Sequence, residues 1–219
     1  MIGEQEKLDI LKAMKADAIP TDWQGLWFII KQSYETARVS QRMGKTVVLP
    51  AGSYTFLLRV TDSTLMNQPP GDVVMEDTPF ELKTHLGFIL SAYGRVLVTG
   101  LGLGCVVRGL LARPQVEHVT CIENSPEVLR MVQPYMPTER LTIVEDDALK
   151  WTARNREHFD CAWHDLWTNR DSGEPHLDVW HTEMMMNCHH TVYKQGAWAY
   201  NRNLKRKLIG FGFPWIGVL

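Results

Sequence analysis

The spacing of apolar residues is irregular in the first part of the chain, residues 1–78. Apolar positions in residues 4–14 recur with helical spacing and predict a helix. The side of that helix expected to be buried carries Leu8, Leu11 and Met14. Residues 23–38 predict a second helix, for which Asp22 is a suitable N-cap.

Two extended segments follow these predicted helices. The apolar residues of 46–60 predict two strands joined by a turn at residues 50–52, which is a β-hairpin. Residues 72–75 predict a further short strand. So many apolar groups in a two-stranded ribbon need a cover, which either the rest of the chain or a second subunit provides. We therefore expect residues 1–78 to form a small helix-plus-β-hairpin region.

The second part, residues 79–219, alternates strands and helices with clear punctuation. A helix that ends at Gly94 comes first, and Ser125 followed by Pro126 marks the start of a later helix. Further helices are predicted at residues 106–112 and 177–192, and strands at residues 95–99, 116–122, 141–144, 159–163 and 196–200. This alternation predicts an α/β fold with a mostly parallel sheet covered by helices on both faces.

Composition excludes several function classes. The 219 residues carry a formal net charge of −2, so no broad positive field attracts nucleic acid. The longest apolar region, residues 86–111, is interrupted by Arg95 and Arg108, which argues against a membrane span. None of the four cysteines forms a C-x-x-C pair, and we expect buried thiols in a reducing compartment. These features predict a cytoplasmic protein.

A glycine-rich turn carries the sharpest functional signal. Gly100, Gly102 and Gly104 occupy alternate positions between an apolar strand and a helix. Glycines at such a turn let a ligand lie against the main chain. The spacing matches neither the dinucleotide fingerprint nor a P-loop. Taken alone, the turn is equally typical of a tight strand-to-helix connection that binds nothing.

Two acidic residues strengthen this interpretation. Glu123 ends the next predicted strand, where a carboxylate can accept hydrogen bonds from both hydroxyls of a ribose, although it also precedes a helix. Asp147 follows the third strand and could accept a hydrogen bond from an adenine amine, although a solvated loop acid is the commoner role. The carboxyl ends of parallel strands are where open α/β sheets bind ligands.

With these residues in place, the sequence resembles the S-adenosylmethionine-dependent methyltransferases of class I, a Rossmann-like family. The resemblance implies that the turn cradles the amino-acid portion of the cofactor S-adenosylmethionine, that Glu123 holds the ribose and that Asp147 meets the adenine. The cofactor-binding residues implied in this way are Gly100, Leu101, Gly102, Gly104, Glu123, Asn124, Asp147 and Ala148. The sequence departs from the family at Thr99, where an acidic residue is usual.

A closer resemblance is to the spermidine synthase branch of that superfamily. Glu81-Leu-Lys-Thr-His85-Leu is similar to an E-x-x-x-H-L stretch of the branch, and residues 159–165 are similar to its fourth strand, which ends in a reactive-site Asp. Two features differ. Pro79-Phe80 stands where the branch has Tyr-His, and Thr168 stands where it has a second Asp. These changes remove counter-charges for a polyamine, which places aminopropyl transfer second.

Asp165 is the candidate catalytic residue because it follows the fourth strand, near the expected position of the reacting carbon. It could be a base that takes a proton from an acceptor, a ligand for a cationic acceptor, or a helix or loop cap. Methyl transfer from a sulfonium needs little beyond alignment, so a base is not obligatory. The histidines of residues 176–190 lack the helical spacing of metal ligands, and no metal site is predicted.

The leading interpretation is an S-adenosylmethionine-dependent methyltransferase acting on an unidentified small acceptor. The alternatives are a spermidine synthase-like aminopropyltransferase and a non-catalytic binding protein that keeps the fold. Only nineteen residues follow Tyr200, so we expect a truncated C-terminus relative to the usual class I sheet, with the acceptor side reduced or completed by a partner. Hairpins of the resembled branch form dimer contacts, which implies a homodimer.

Overall fold

The computed structural model describes residues 3–42, 45–60, 71–166, 184–185, 187–188 and 190–197. Within those residues, the elements with defined bounds are five α-helices, one short 3₁₀ helix (Gln133–Tyr135) and eleven strands. The helices are α1 (Glu4–Ala13), α2 (Pro79–Ser91), α3 (Cys105–Leu111), α4 (Pro126–Val132) and α5 (Ala148–Arg154). The strands are β1 (Asp22–Gln24), β2 (Trp27–Tyr34), β3 (Arg38–Arg42), β4 (Lys45–Leu49), β5 (Gly52–Val60), β6 (Gly71–Glu76), β7 (Gly94–Thr99), β8 (Val116–Glu123), β9 (Leu141–Glu145), β10 (Phe159–His164) and β11 (Val192–Ala197).

A five-stranded sheet forms the second half of the fold, in the order β11-β10-β7-β8-β9. Every neighbouring pair is parallel, as the alternation of strands and helices predicts. The register aligns the ends of three strands, since Thr99 pairs with both His164 and Ile122. The carboxyl ends of β7, β8 and β10 therefore lie side by side, and the predicted Rossmann-like α/β fold is confirmed.

The predicted helix at residues 23–38 is wrong, because this segment forms β1, β2 and the start of β3. Side chains along β2 alternate: Ile29 joins the main core, whereas Phe28 and Ile30 pack in a separate apolar cluster on the other face. This period of two, in a segment rich in aromatic and β-branched residues, stabilises a strand buried on both faces. Asp22 begins β1 and caps no helix.

Residues 46–60 form two strands as predicted, but the strands are not a hairpin. β4 pairs with β3, whereas β5 pairs with β2 and β6 inside a four-stranded antiparallel sheet. All five residues from Tyr54 to Leu58 are buried. A strand that is apolar on both faces needs neighbours on both edges, so β5 takes an interior position. β6 confirms the strand predicted at residues 72–75.

Two helix predictions also need correction. α1 forms, but Leu8 is 58% exposed, and Ile10 and Met14 are the buried residues at its carboxyl half. Of the helix predicted at residues 177–192, residues 184, 185 and 187 are helical, whereas Val192 begins β11, and residues 177–183, 186 and 189 lie outside the described residues. β11 starts four residues before the predicted strand at 196–200, whose last three residues also lie outside the described part, as do residues 201–219.

The N-terminal segments pack directly on the parallel-sheet region. One hydrophobic cluster contains Met14 and Ile29 together with Ile89, Val107 and Leu110 of α2 and α3. Within the part of the chain that the structure describes, no helix is long and apolar enough to cross a membrane. The four cysteines are buried thiols, as predicted, and burial raises the pKa of Cys105 to about 12.

Candidate functional site

The glycine-rich turn joins β7 to α3, and its three glycines all have positive φ angles. A Cβ on Gly100 would collide with the carbonyl oxygen of Asp165, and one on Gly102 would lie 2.5 Å from Met75 Sδ. A Cβ on Gly104 would collide with a second methionine sulfur, that of Met136. Because glycine has no side chain, atoms of Asp165, Met75 and Met136 can approach the turn closely.

Glu123 anchors this turn to the end of β8. Its Oε2 accepts a hydrogen bond from Leu101 N at 2.8 Å, and Oε1 accepts one from Ser125 N at 2.8 Å. The residue is 8% exposed. Burial raises the pKa of the Glu123 carboxyl above its usual range, and the backbone N–H groups of Leu101, Ser125, Asn124 and Gly102 partly oppose that rise. Each carboxylate oxygen has a second lone pair, which a ribose hydroxyl could use.

The remaining predicted cofactor residues follow β8 and β9. Asn124 is exposed, and Ala148 is buried at the start of α5. Asp147 is the N-cap of α5: its Oδ1 accepts a hydrogen bond from Lys150 N at 3.1 Å, and its side chain is 43% exposed. Asp147 therefore caps α5, a role that was not predicted from the sequence. Binding to adenine stays a prediction for its second oxygen.

Asp165 lies directly after β10, beside the turn. Its backbone N–H donates a hydrogen bond to Thr99 O at 2.9 Å, and its carbonyl oxygen packs against Gly100. The predicted position at the carboxyl end of the fourth parallel strand is therefore confirmed. Burial raises the pKa of Asp165 to about 6; the charge of His85 lowers this pKa, and the charge of Glu81 raises it.

The Glu81–His85 pair of α2 belongs to this site, although the sequence pointed to it only as a motif. His85 is fully buried, and its Nε2 lies 3.5 Å from Glu81 Oε1. The ring also meets Trp163 edge to face, with centroids 5.6 Å apart. Spacing of four residues on a predicted helix was the available signal. Proximity to Asp165 was not predictable, because it depends on how α2 packs on β10.

Thr99, the departure from the usual acidic residue, takes part in a buried polar network. Its hydroxyl lies 3.0 Å from His164 Nδ1, and His164 Nε2 lies 3.1 Å from Gln195 Oε1. Gln195 Nε2 donates to Met185 O at 3.0 Å, which orients the amide. We therefore assign the Nε2–H tautomer to His164, with Thr99 donating to Nδ1. The network links the ends of β7, β10 and β11.

Comparison with known proteins finds relatives in one enzyme class. The polyamine aminopropyltransferase of Pseudomonas syringae pv. tomato is 32% identical over 89 residues, which is 36% of this chain and 31% of the relative. That of Agathobacter rectalis is 26% identical over 107 residues, 43% of this chain and 38% of the relative. The chain thus spans about a third of the length of these curated relatives. No family model matches it.

Among solved structures, spermidine synthase from Thermotoga maritima is similar with a TM-score of 0.49 at 15% identity, covering 86% of this chain and 68% of that chain. Human methyltransferase-like protein 13 in complex with SAH has a TM-score of 0.43 at 16% identity, covering 59% of this chain and 68% of that chain. The fold assignment itself rests on the strand order described above. The similarity to curated polyamine aminopropyltransferases confirms the resemblance to the spermidine synthase branch.

Proposed function

We propose that the protein is a transferase that binds decarboxylated S-adenosylmethionine and transfers its aminopropyl group to an amine. The similarity to polyamine aminopropyltransferases favours this function, which the sequence placed second, over methyl transfer. The observation that carries the proposal is the position of Asp165 directly after β10, where its backbone carbonyl oxygen lies against Gly100. An acidic residue there borders the turn that would hold the amino-acid end of the donor.

Electrostatics supports the decarboxylated form of the donor. With a pKa of about 6, Asp165 is mostly ionised at neutral pH, and Glu81 adds a second acidic group nearby. A carboxylate on the donor would be repelled by these groups, and repulsion between like charges is an effective basis for discrimination. An aminopropyl donor carries only an ammonium group at that end, which Asp165 attracts.

The residues around the turn fit the nucleoside part of such a donor. The buried Glu123 carboxylate retains lone pairs after accepting from two backbone N–H groups, and these can accept from ribose hydroxyls. Asp147 Oδ2, which lies 4.0 Å from Lys150 Nζ, can accept a hydrogen bond from adenine. The positive φ of Gly100 and Gly102 lets the turn bend tightly, so that its main chain can border the donor.

The donor would supply a sulfonium, which makes the attached carbon electrophilic. Asp165 can accept the proton that the attacking amine nitrogen loses as the new carbon–nitrogen bond forms and the carbon–sulfur bond breaks. A base whose pKa lies near the working pH suits this task. Trp163, which is buried beside it, excludes water from one side of the carboxylate.

Methyl transfer is the second candidate, favoured by Pro79-Phe80 and Thr168, which stand where the resembled branch has polar or acidic groups. The leaving group separates the two functions. Incubation with decarboxylated S-adenosylmethionine and a set of di- and polyamines should yield 5′-methylthioadenosine, detected by mass spectrometry. Formation of S-adenosylhomocysteine from S-adenosylmethionine, with no reaction of the decarboxylated donor, would contradict the proposal. Asp165→Asn should cut turnover about 100-fold or more, and Asp160→Asn, at the other end of β10, should not.

A further inference from the structure

Met75 lies on the glycine-rich turn, although it belongs to β6 of the antiparallel sheet. Its Sδ accepts a hydrogen bond from Leu103 N at 3.1 Å. A Cβ on Gly102 would lie 2.5 Å from the same sulfur atom. The residue is buried, with 7% of its surface exposed. The thioether therefore covers the main chain of the turn at Gly102 and Leu103.

A bulge in β6 directs this side chain to the turn. Leu57 of β5 pairs with Met75. The next residue of β5, Leu58, pairs with Val73, so Val74 is an extra residue in β6. Side chains two positions apart in a regular strand share a face. Here Val73 packs against the separate apolar cluster on one face of the sheet, whereas Met75 belongs to the main core on the other. The extra residue thus changes the face on which Met75 lies, an effect for which β-bulges are known.

The main-chain N–H groups of the turn have acceptors of unequal strength. Four of the five N–H groups of residues 100–104 donate to atoms of the protein. In chain order, the donors Gly100, Leu101, Leu103 and Gly104 have the acceptors Ile122 O, Glu123 Oε2, Met75 Sδ and Leu101 O. Three acceptors are oxygen atoms, whereas a thioether sulfur is a weak acceptor. Of these four groups, the N–H of Leu103 would gain most from an oxygen acceptor.

A carboxylate at the chain end of a donor would need such an N–H group. When it leaves water, a carboxylate requires hydrogen-bond donors in place of the water molecules. Met75 already holds the N–H of Leu103, and its sulfur fills the space beside Gly102. A carboxylate must therefore displace the thioether or remain without that partner, and either event costs free energy. An ammonium group donates hydrogen bonds and does not need an N–H, so Met75 does not disfavour it.

We propose that Met75 is a specificity-determining residue, which excludes a donor carboxylate from the turn and thereby favours decarboxylated S-adenosylmethionine. The inference rests on the proposed function, because it takes the chain of the donor to lie along the turn. It adds steric exclusion and an occupied hydrogen-bond donor to the repulsion by Asp165. The two residues act at different positions of the turn, since Asp165 packs on Gly100 and Met75 on Gly102.

The test is calorimetric titration of the full chain with S-adenosylmethionine and with its decarboxylated form, read as the ratio of the two Kd values. Met75→Ala removes the sulfur acceptor and opens the space beside Gly102. It should lower the preference for the decarboxylated donor about tenfold, through tighter binding of S-adenosylmethionine. Met75→Leu keeps a side chain of similar size on the turn, so it should keep most of the preference.

Met136→Ala is the matched control, because it makes the same truncation at the second methionine on the turn. Met136 Sδ lies against Gly104 and accepts from the Arg108 side chain, with Nη1 at 3.0 Å. It holds no N–H group of the turn, so this variant should leave the ratio of Kd values unchanged. An unchanged ratio in Met75→Ala, or an equal fall in Met136→Ala, would overturn the inference and leave the proposed function intact.

A measurement on the wild type decides the inference even if Met75→Ala does not fold. With the methionine methyl groups labelled with ¹³C, the NMR signal of Met75 can be assigned by Met75→Leu. Saturation with the decarboxylated donor should shift this signal, because the chain of the donor then lies beside the sulfur. S-adenosylmethionine should shift it further, because its carboxylate displaces the side chain. A Met75 signal that is the same in the free and the donor-saturated protein would contradict the inference.

Binding of neither ligand by the wild type would mean that the proposed function fails. The titration of Met75→Ala then decides the inference separately. If this variant gains binding of S-adenosylmethionine and Met136→Ala does not, removal of the thioether has opened the turn, and the inference stands. If Met75→Ala binds neither ligand as well, the inference fails together with the proposed function.

Discussion

Two aspartates, the buried Asp77 and the half-buried Asp165, lie in different parts of the molecule and illustrate opposite uses of the same side chain. Asp77, between β6 and α2, accepts hydrogen bonds from Ala16 N at 3.0 Å and Thr55 N at 2.8 Å, and pairs with Lys15 at 2.8 Å. Asp165, after β10, interacts with His85 and with a second acid. Both carboxylate oxygens of Asp77 have partners, so Asp77 has a structural role, and we call it the clamp. The charge of Asp165 is compensated less completely, which is typical of reactive groups.

The clamp explains how the N-terminal segments are held. Asp77 joins the loop after α1 to β5 and to the start of α2, where Thr78 caps the helix by accepting from Glu81 N. Because α2 also carries His85, Asp77 indirectly fixes the position of groups near Asp165. The antiparallel sheet thus supports the position of the helix on which the site depends.

Removal of the Asp77 carboxylate should have the largest effect on the free energy of unfolding. Asp77→Ala leaves the Lys15 charge and two buried N–H groups without their acceptor, and we expect a loss of about 3–5 kcal/mol in the free energy of unfolding. Denaturant titration measures it. The control is Asp17→Ala, since Asp17 lies 3.7 Å from the same lysine but is 66% exposed. It should cost less than about 1 kcal/mol, and equal losses in both variants would refute the distinction.

The turn beside Asp165 should be the next most sensitive place. Gly100→Ala sets a methyl group against a backbone carbonyl, whereas Gly102→Ala meets only the flexible end of Met75. Both positions have a positive φ. We expect a loss of about 2–4 kcal/mol for the first, from backbone strain and overpacking together, and about 1–2 kcal/mol for the second. A larger loss at Gly102 would contradict the close packing of β10 on the turn.

Stability as a function of pH sharpens the contrast between the aspartates. The folded-state pKa of Asp165, about 6, lies above its unfolded value, so its contribution is present below about pH 4 and is lost as the pH rises through 6. Asp165→Asn should therefore be more stable than the wild type at pH 7.5, by about 1–2 kcal/mol. Thermal unfolding at pH 4.5 and 7.5 measures this; a variant that loses stability at pH 7.5 would contradict it.

The smallest expected effect is on self-association through an exposed surface of the protein. We propose a homodimer, supported by the exposed cross-strand pair Val39 and Val48 on the β3–β4 ribbon, which are 71% and 65% exposed. The apolar residues of β5, by contrast, are covered by the chain itself. Val39→Glu should weaken association about tenfold or more, whereas Leu8→Glu on α1 should not. Light scattering at micromolar concentration measures the mass in solution, and a monomeric wild type would contradict the proposed homodimer.

The parallel sheet was predictable because each strand is a short apolar run between strong boundary residues, such as Gly94 before β7 and Ser125-Pro126 after β8. Every strand predicted there from residue 95 to 163 is present. The error at residues 23–38 has a physical cause. β2 is apolar on both faces, so its period of two is hidden, and only its antiparallel pairing with β5 fixes it as a strand.

The position of the candidate site was predictable from the sequence, but the contacts that its residues make with distant segments were not. The ends of β7, β8 and β10 bring Gly100, Glu123 and Asp165 to one edge because parallel strands in register must do so. Contacts between distant segments were not readable from the sequence. Met75 against the turn and His85 beside Asp165 both arise from the way β6 and α2 pack on the sheet.

Calorimetric titration with decarboxylated S-adenosylmethionine and with S-adenosylmethionine tests the central claim most directly. The proposed function predicts that the wild type binds the decarboxylated donor at least tenfold more tightly, and that Asp165→Asn reduces this preference because the repulsion of the carboxylate is lost. Glu123→Gln should weaken both ligands alike, since the ribose is common to them. Tighter binding of S-adenosylmethionine by the wild type, or binding of neither ligand, would contradict the account.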